Sequence, residues 1–340
     1  MNFSSSSVNI TTNQFIDNIN FITDIIGYYT ITTVSAVGLI LNLFMSIVLL
    51  NKDLKHNFYK YLWVKALIDV LVCIIGIGYL KSICLKCPST NVNTFQILAY
   101  QWYMNKITMR TIFMSSSIHE IYLIVQRYLI IKGNKIFSNI KLKFYVPLIF
   151  LVPFILTSPF FFAIEIKPKG NDDDLYFWTQ TRFGRTLFFK MYSLIITLPE
   201  CLLSVIILIT MNIITIKAYK DRMNIKKKFN NRRLATKTKI ENRFTRIMIV
   251  LTVIFSFSKT SENVMAVIIR YSAFFGIKFG VEVVAIINCV HQFTLLFLFS
   301  VHSFDVFIYV PMDQNLKKVV KKTFLRNIIL TSIEKSTTTR

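Results

Sequence analysis

The chain has 340 residues, of which 54% are hydrophobic and 31 are phenylalanine, and its formal net charge is +23. This composition does not fit the surface of an ordinary soluble domain. The basic residues lie in short segments between long apolar runs, which argues against a nucleic-acid-binding face. The sequence therefore favours a multi-pass membrane protein with no nucleic-acid partner.

The N-terminal segment, residues 1–24, is rich in Ser, Thr and Asn and contains no Lys or Arg. It lacks the basic region of a cleavable signal peptide, so we expect the first apolar helix to act as its own insertion signal. Glycosylation sequons begin at Asn2 and Asn9, and sugars are added only on the lumenal side. The segment is predicted to be an extracellular, glycosylated N-terminus.

Seven charge-poor stretches follow, each long enough to cross a membrane as a helix. They are Ile25 to Asn51, Tyr61 to Leu80, Leu98 to Ile131, Phe144 to Ile164, Met191 to Ile216, Ile247 to Ile269 and Val283 to Phe304. The second carries only Lys65 and Asp69, whereas the third is the most polar. Residues 25–310 are thus predicted to form an all-α bundle of seven transmembrane helices.

The orientation of the bundle follows from the Lys and Arg residues outside these stretches, because basic loops are retained in the cytoplasm. With the N-terminus outside and Arg127 counted at the inner end of the third stretch, 27 of them fall in inner segments, against 8 in the outer segments 81–86, 167–185 and 270–278. The predicted location is the plasma membrane.

An amphipathic helix is predicted after the seventh stretch, at residues 311–326. Its two faces consist of apolar Leu316, Val319, Val320 and Phe324, and of basic Lys317, Lys318, Lys321 and Lys322. This pattern is typical of a helix lying in the membrane interface. Residues 327–340 are too polar to pack and are predicted to form a disordered cytoplasmic tail.

Several motifs occur in a fixed order along the stretches. They are Gly38-Leu39-Ile40-Leu41-Asn42, Ala66-Leu67-Ile68-Asp69, Ser116, Gln126-Arg127-Tyr128, Pro199, Glu241-Asn242-Arg243-Phe244 and Asp305-Val306-Phe307-Ile308-Tyr309. Together they resemble the rhodopsin-like family of G-protein-coupled receptors, from about Ile25 to Phe324. The resemblance implies a receptor that transmits binding of an extracellular ligand to heterotrimeric G proteins.

The resemblance implies an activation switch at the inner ends of helices three and six. Arg127 is expected to pair with Glu241 in the resting state, and activation breaks the pair. Gln126 replaces the family's acidic residue, which removes one restraint on the arginine, and Tyr128 completes the motif. The alternative for Arg127 is an arginine that extends to the membrane interface.

The resemblance also implies a central polar pocket, formed by Asn42, Asp69, Ser116 and Asp305. In the family this pocket holds a sodium ion with waters; a hydrogen-bonded network with no ion is the alternative. Glu120 and His302 differ from the family's usual residues at this depth and are expected to join the network. Polar groups within a membrane are costly, so each needs a partner.

Helix six departs from the family pattern. Phe255 is kept, but Lys259 replaces the aromatic switch and Ser261 replaces the kinking proline. A lysine this deep must reach a carboxylate, and both Glu262 and Glu120 are candidates. The seventh-helix motif also lacks its proline but keeps Tyr309 as part of the switch.

The family's disulfide has no counterpart here, because Trp102 stands at the expected place in helix three and residues 165–190 contain no Cys. Cys84 and Cys87 either pair locally or stay free.

Two residues that define known ligand classes in the family are missing from this chain, and this narrows the expected ligand. Amine receptors carry an aspartate where this chain has Met109, and opsins a lysine where it has Phe299, so neither a monoamine nor retinal is expected. Acidic and aromatic residues on the outer face, including Trp178 and Glu262, favour a basic or amidated peptide. A solvated acidic turn, or an anionic ligand near Lys106 and Arg110, is the alternative.

The basic segment between Lys217 and Arg246 is predicted to face the G protein, although it also suits anionic lipid head groups. A non-signalling membrane protein, such as a transporter or a decoy receptor, is the alternative function. No enzyme constellation is present, and the four histidines lack metal-ligand spacing. We expect no cofactor other than the sodium ion considered for the central pocket.

Overall fold

The protein is described by a computed structural model over residues 5–54, 57–83, 95–133, 142–169, 172–228, 235–274, 277 and 279–323. Most of these residues are helical. Five helices are long and apolar enough to cross a membrane, namely Gln14–Leu49, Phe58–Gly78, Phe144–Phe162, Thr245–Ile269 and Val281–Met312. The predicted helical membrane class is therefore confirmed, with five such helices rather than seven among the described residues.

The first helix begins well before the predicted Ile25. Helix α1, Ser5–Asp24, continues through a π-helical turn, Ile25–Thr30, into α2, Ile31–Leu49. The predicted N-terminal segment is thus largely helical, and α1 contacts the last long helix of the bundle. Asn2 lies outside the described residues, as does the side chain of Asn9.

The second and third predicted spans are both helical. Helix α3 is Asn57–Ile83. Helix α4, Phe95–Ala99, leads through a π-helical segment, Tyr100–Thr108, into α5, Met109–Ile131. Helix α5 is not among these five helices, because its buried face carries charged and hydroxyl side chains in place of apolar ones.

A β-hairpin that the sequence analysis did not predict follows the fourth span. Helix α6, Leu142–Thr157, ends in a 3-10 turn, Ser158–Phe162. Strand β1, Ile164–Lys169, then pairs antiparallel with β2, Asp172–Gln180. Gly170-Asn171 between two runs of strand-forming residues was the available sequence signal.

The fifth predicted span is helical but contains a π-helical turn. Helix α7, Arg182–Arg185, precedes α8, Leu187–Leu198, which meets α9, Ser204–Lys228, at a π-helical turn, Pro199–Leu203. The turn contains Glu200, and the last residues of α9 are basic. The apolar helix before the turn, Leu187–Thr197, is shorter than the five helices above.

The last helices run on from one another. They are α10, Ala235–Phe274, α11, Val281–Phe304, α12, Val306–Met312, and α13 at residues 314–323. The chain passes from α11 to α12 through Asp305. In α13, Leu316 and Val319 are buried while its four lysines are exposed, as the predicted amphipathic helix requires.

The bundle has a buried apolar core and an apolar exterior. Tyr309, Phe58 and Phe299 are among its largest fully buried side chains. Large apolar side chains are also exposed on the helix surfaces, for example Ile40 at 69% and Phe257 at 68%. An exterior of this kind is unfavourable in water and favourable in lipid.

Candidate functional site: a charged network inside the bundle

The centre of the bundle contains a lysine surrounded by carboxylates. Lys65 on α3 is 1% exposed. Its Nζ lies 3.0 Å from Asp69 Oδ1 on the same helix, 3.4 Å from Glu120 Oε1 on α5 and 2.8 Å from Asp305 Oδ2 at the junction of α11 and α12. One ammonium group therefore joins three parts of the bundle.

The network continues from Asp69 to helices α2 and α11. His302 Nδ1 lies 2.6 Å from Asp69 Oδ1. Asn42 Nδ2 on α2 donates a hydrogen bond of 2.9 Å to the backbone oxygen of His302. Helices α2, α3, α5 and α11 thus share one connected set of polar contacts.

Aromatic rings enclose these charges. Phe113 stacks on His302 at 5.9 Å between ring centroids, and Phe255 meets the same imidazole edge-on at 5.7 Å. Lys65 Nζ lies 5.9 Å from the centroid of the Phe255 ring. Because the surroundings are apolar, attraction between the charges is stronger here than at a surface, and an unmatched charge is also more costly.

The burial of these charges sets the energetic character of the site. Moving an ion from water to a protein interior costs several kcal/mol, and removing one partner of a buried pair typically costs about 3–5 kcal/mol. Lys65, Asp69 and Glu120 are each at most 1% exposed. Loss of the ammonium group of Lys65, which contacts all three carboxylates, is therefore expected to be costly.

The structure brings most residues of the predicted central pocket into contact. Asn42, Asp69, Glu120, His302 and Asp305 all belong to the network. Ser116 is buried one turn before Glu120 on α5, but its Oγ has no hydrogen-bond partner among the described residues.

Lys65 was missed as a member of the predicted pocket. The available signal was its spacing four residues before Asp69, which places the two side chains on one helix face.

The predicted switch residues near Arg127 are only partly described. Arg127 is 4% exposed, and its guanidinium carbon lies 4.7 Å from the centroid of the Phe58 ring. The side chain is packed inside the bundle rather than extended along its surface. The side chain of Glu241 lies outside the described part of the chain, so the expected pair with Arg127 stays a prediction. Gln126 is buried and Tyr128 half-buried.

Lys259 on α10 is 2% exposed, and its Nζ lies 3.0 Å from Glu262 Oε2. Of the two partners considered from the sequence, the structure pairs Lys259 with Glu262, since Glu120 contacts Lys65 instead. The Lys259 Nζ also lies 5.0 Å from the centroid of the Phe113 ring. Phe113 thus lies between this ion pair and His302 of the network.

A second buried ion pair joins α5 to the helices after the hairpin. Arg110 Nε lies 2.7 Å from Glu200 Oε2, and its guanidinium also donates to Thr197 Oγ1 at 2.9 Å. The guanidinium carbon is 4.4 Å from the centroid of Phe160. Arg110 was considered as a ligand contact, and in the structure its charge is matched by Glu200.

The hairpin is fastened to the bundle by aromatic contacts. Trp178 on β2 stacks with Trp102 at 6.2 Å between centroids. Lys106 Nζ lies 5.0 Å from Trp102 and 5.2 Å from Trp178. Of the other predicted ligand contacts, Met109 lines a small apolar crevice beside Phe113.

The fold and this site define a mostly helical, membrane-embedded protein whose interior carries a connected network of charged and polar side chains. No model of a known protein family matches the chain, and no curated protein matches it. Cys84 and Cys87 lie outside the described residues, so their pairing stays open.

Proposed function

We propose that the protein is a seven-transmembrane receptor of the rhodopsin-like class, which transmits binding of an extracellular ligand to heterotrimeric G proteins. The observation that carries the proposal is the network around Lys65. It contains Asn42, Asp69 and Asp305, which are the residues at three of the motif positions, and it connects four helices. A polar centre shared by several helices can couple movements at one end of a bundle to the other.

In this proposal α5 supplies the third span, and α8 and α9 supply the fifth. Arg110, Glu120 and Arg127 lower the hydropathy of α5, but all three are buried within the bundle rather than exposed to lipid. Intramembrane charges face the interior of a bundle and mark functional pathways. The polarity of the third span is therefore compatible with its crossing the membrane.

The proposed signal begins at the end of the bundle that carries the hairpin. A basic or amidated peptide would meet Trp178 and the exposed aromatic residues of β2 there. Its binding shifts α5 and α10, whose contacts through Phe113 reach His302 and the network. At the other end, movement around Arg127 and Glu241 opens the face for the G protein.

The decisive experiment is the substitution Arg127→Ala in cells that report activation of each G-protein class. The expected result is a change in basal signalling, because the substitution removes the proposed pair with Glu241 that holds the resting state. Lys190→Ala, which changes an exposed basic residue on α8, is the matched control and should leave signalling unchanged. Basal signalling that is equal in the wild type, the variant and mock-transfected cells would count against the receptor function.

A transporter is the second candidate, and the same network favours it, because intramembrane carboxylates also line ion and proton pathways. Reconstitution into liposomes with an imposed ion gradient separates the two functions. Ion flux that depends on Asp69 would support a transporter and is not expected for a receptor.

A further inference from the structure

We propose that Lys65 is a tethered cation: its ammonium group fills the place among three carboxylates that a free monovalent cation would otherwise have to occupy. The three carboxylates then share a positive charge without sodium. This inference goes beyond the receptor function and applies equally to a transporter, because it concerns what holds the bundle together.

The contacts of the ammonium group carry the proposal. Asp305 Oδ2 at 2.8 Å, Asp69 Oδ1 at 3.0 Å and Glu120 Oε1 at 3.4 Å surround Nζ. A lysine ammonium has three N–H donors and no acceptor. Here Nζ donates to both oxygens of Asp69, at 3.0 and 3.3 Å, and contacts Glu120 and Asp305 as ion pairs. The rest of the side chain is equally enclosed, since Lys65 is among the largest fully buried side chains.

The charges explain why a cation is required at this point. Three carboxylates from separate parts of the bundle converge here, and their mutual repulsion in apolar surroundings is severe without a positive charge between them. His302 contacts only Asp69 among the three. Lys65 is the cation that contacts all of them within the described residues, so removing its charge leaves Glu120 and Asp305 without that compensation.

A covalently attached cation differs from a bound ion in its dependence on concentration. A free ligand stabilises the folded state by an amount that grows with its concentration, whereas a side chain is always present. The stability of the wild-type bundle should therefore not respond to sodium. Removing the ammonium group should create a site that sodium can fill.

The test compares thermal unfolding of the full-length protein, purified in detergent, in sodium chloride and in N-methyl-D-glucamine chloride at equal ionic strength. The Lys65→Met variant keeps most of the aliphatic chain and leaves the Nζ position open. We expect a lower Tm for this variant and a saturable recovery of about 5 °C in sodium. The wild type and Lys60→Met, which alters an exposed lysine of the same helix, should show no difference between the two salts.

Two results would overturn the proposal. One is a wild-type Tm that rises in sodium as much as that of Lys65→Met, because a free ion would then be needed beside the lysine. The other is a folded Lys65→Met protein that shows no sodium response. If Lys65→Met yields no folded protein, the double variant Lys65→Met with Asp305→Asn removes one of the three carboxylates, and its Tm is compared in the same two salts. If neither variant folds, the response of the wild-type Tm to sodium decides on its own.

Discussion

At the scale of single residues, the carboxylates around Lys65 are not equivalent. Asp69 contacts both Lys65 and His302, whereas the distance from Lys65 to Glu120 is the longest of the three. The same formal charge therefore has different surroundings on α3 and on α5. Substitutions that remove one negative charge at a time should separate their contributions.

We predict that Asp69→Asn lowers the free energy of unfolding by about 3 kcal/mol, because it removes one partner from two buried contacts. Glu120→Gln should cost less than about 1 kcal/mol, since Lys65 keeps its two shorter contacts and the excess of negative charge falls. Unfolding measured in the same detergent and salt provides the comparison. If both variants lost the same free energy of unfolding, the contacts of Asp69 would contribute no more to stability than those of Glu120.

The sequence predicted some residues of the network but not the contacts between them. The cost of placing charge in a membrane singled out Asp69, Glu120 and Asp305, and helical spacing relates Lys65 to Asp69. Spacing along one helix says nothing about neighbours on other helices. The contacts from Lys65 to Glu120 and Asp305 join residues far apart in the chain, and only the packing of α3, α5 and α11 brings them together.

At the scale of secondary-structure elements, α10 is a long helix whose continuity depends on the absence of a proline. It runs without a break from Ala235 to Phe274, and Ser261 lies inside it with its hydroxyl donating to the backbone oxygen of Phe257 at 3.0 Å. The sequence correctly indicated that no proline-driven kink is available here. A proline at this position would remove a backbone donor and crowd the preceding turn.

Ser261→Pro is therefore expected to destabilise the protein by about 3 kcal/mol through the loss of this helical geometry. Ser261→Ala, the control, keeps the backbone hydrogen bond and should change stability by less than about 0.5 kcal/mol. Thermal unfolding and far-UV circular dichroism measure both. A proline variant as stable as the alanine variant would mean that α10 already tolerates a kink at this position.

Hydropathy predicted the apolar helices and their order, but it did not show which polar helices cross the membrane. Helix α5 buries its charges against neighbouring helices, a property that depends on tertiary packing rather than on composition. The hairpin of β1 and β2 was not predicted, because its strands are too short to form a long apolar stretch. Its turn residues were visible in the sequence, but their signal is local and weak.

At the scale of the whole molecule, the distribution of basic residues has a consequence that can be tested directly. The excess of Lys and Arg in the segments predicted to be cytoplasmic should fix the direction of insertion. An epitope attached before Met1 should then be detected on intact cells, and one attached after Arg340 only after permeabilisation. Detection of the C-terminal epitope on intact cells would reverse the proposed orientation and with it the proposed G-protein face.

The length of α10 gives the molecule a mechanical property. Its 40 residues measure about 60 Å, twice the hydrocarbon thickness of a bilayer at about 30 Å. Phe255, which contacts His302 of the network, lies about 30 Å along the axis from Ala235. Rotation of the helix by about 10° around this contact would therefore displace its first turn by about 5 Å. Atoms close to this contact would move by less than about 1 Å in the same tilt, so a small local change would be amplified at the end of the helix.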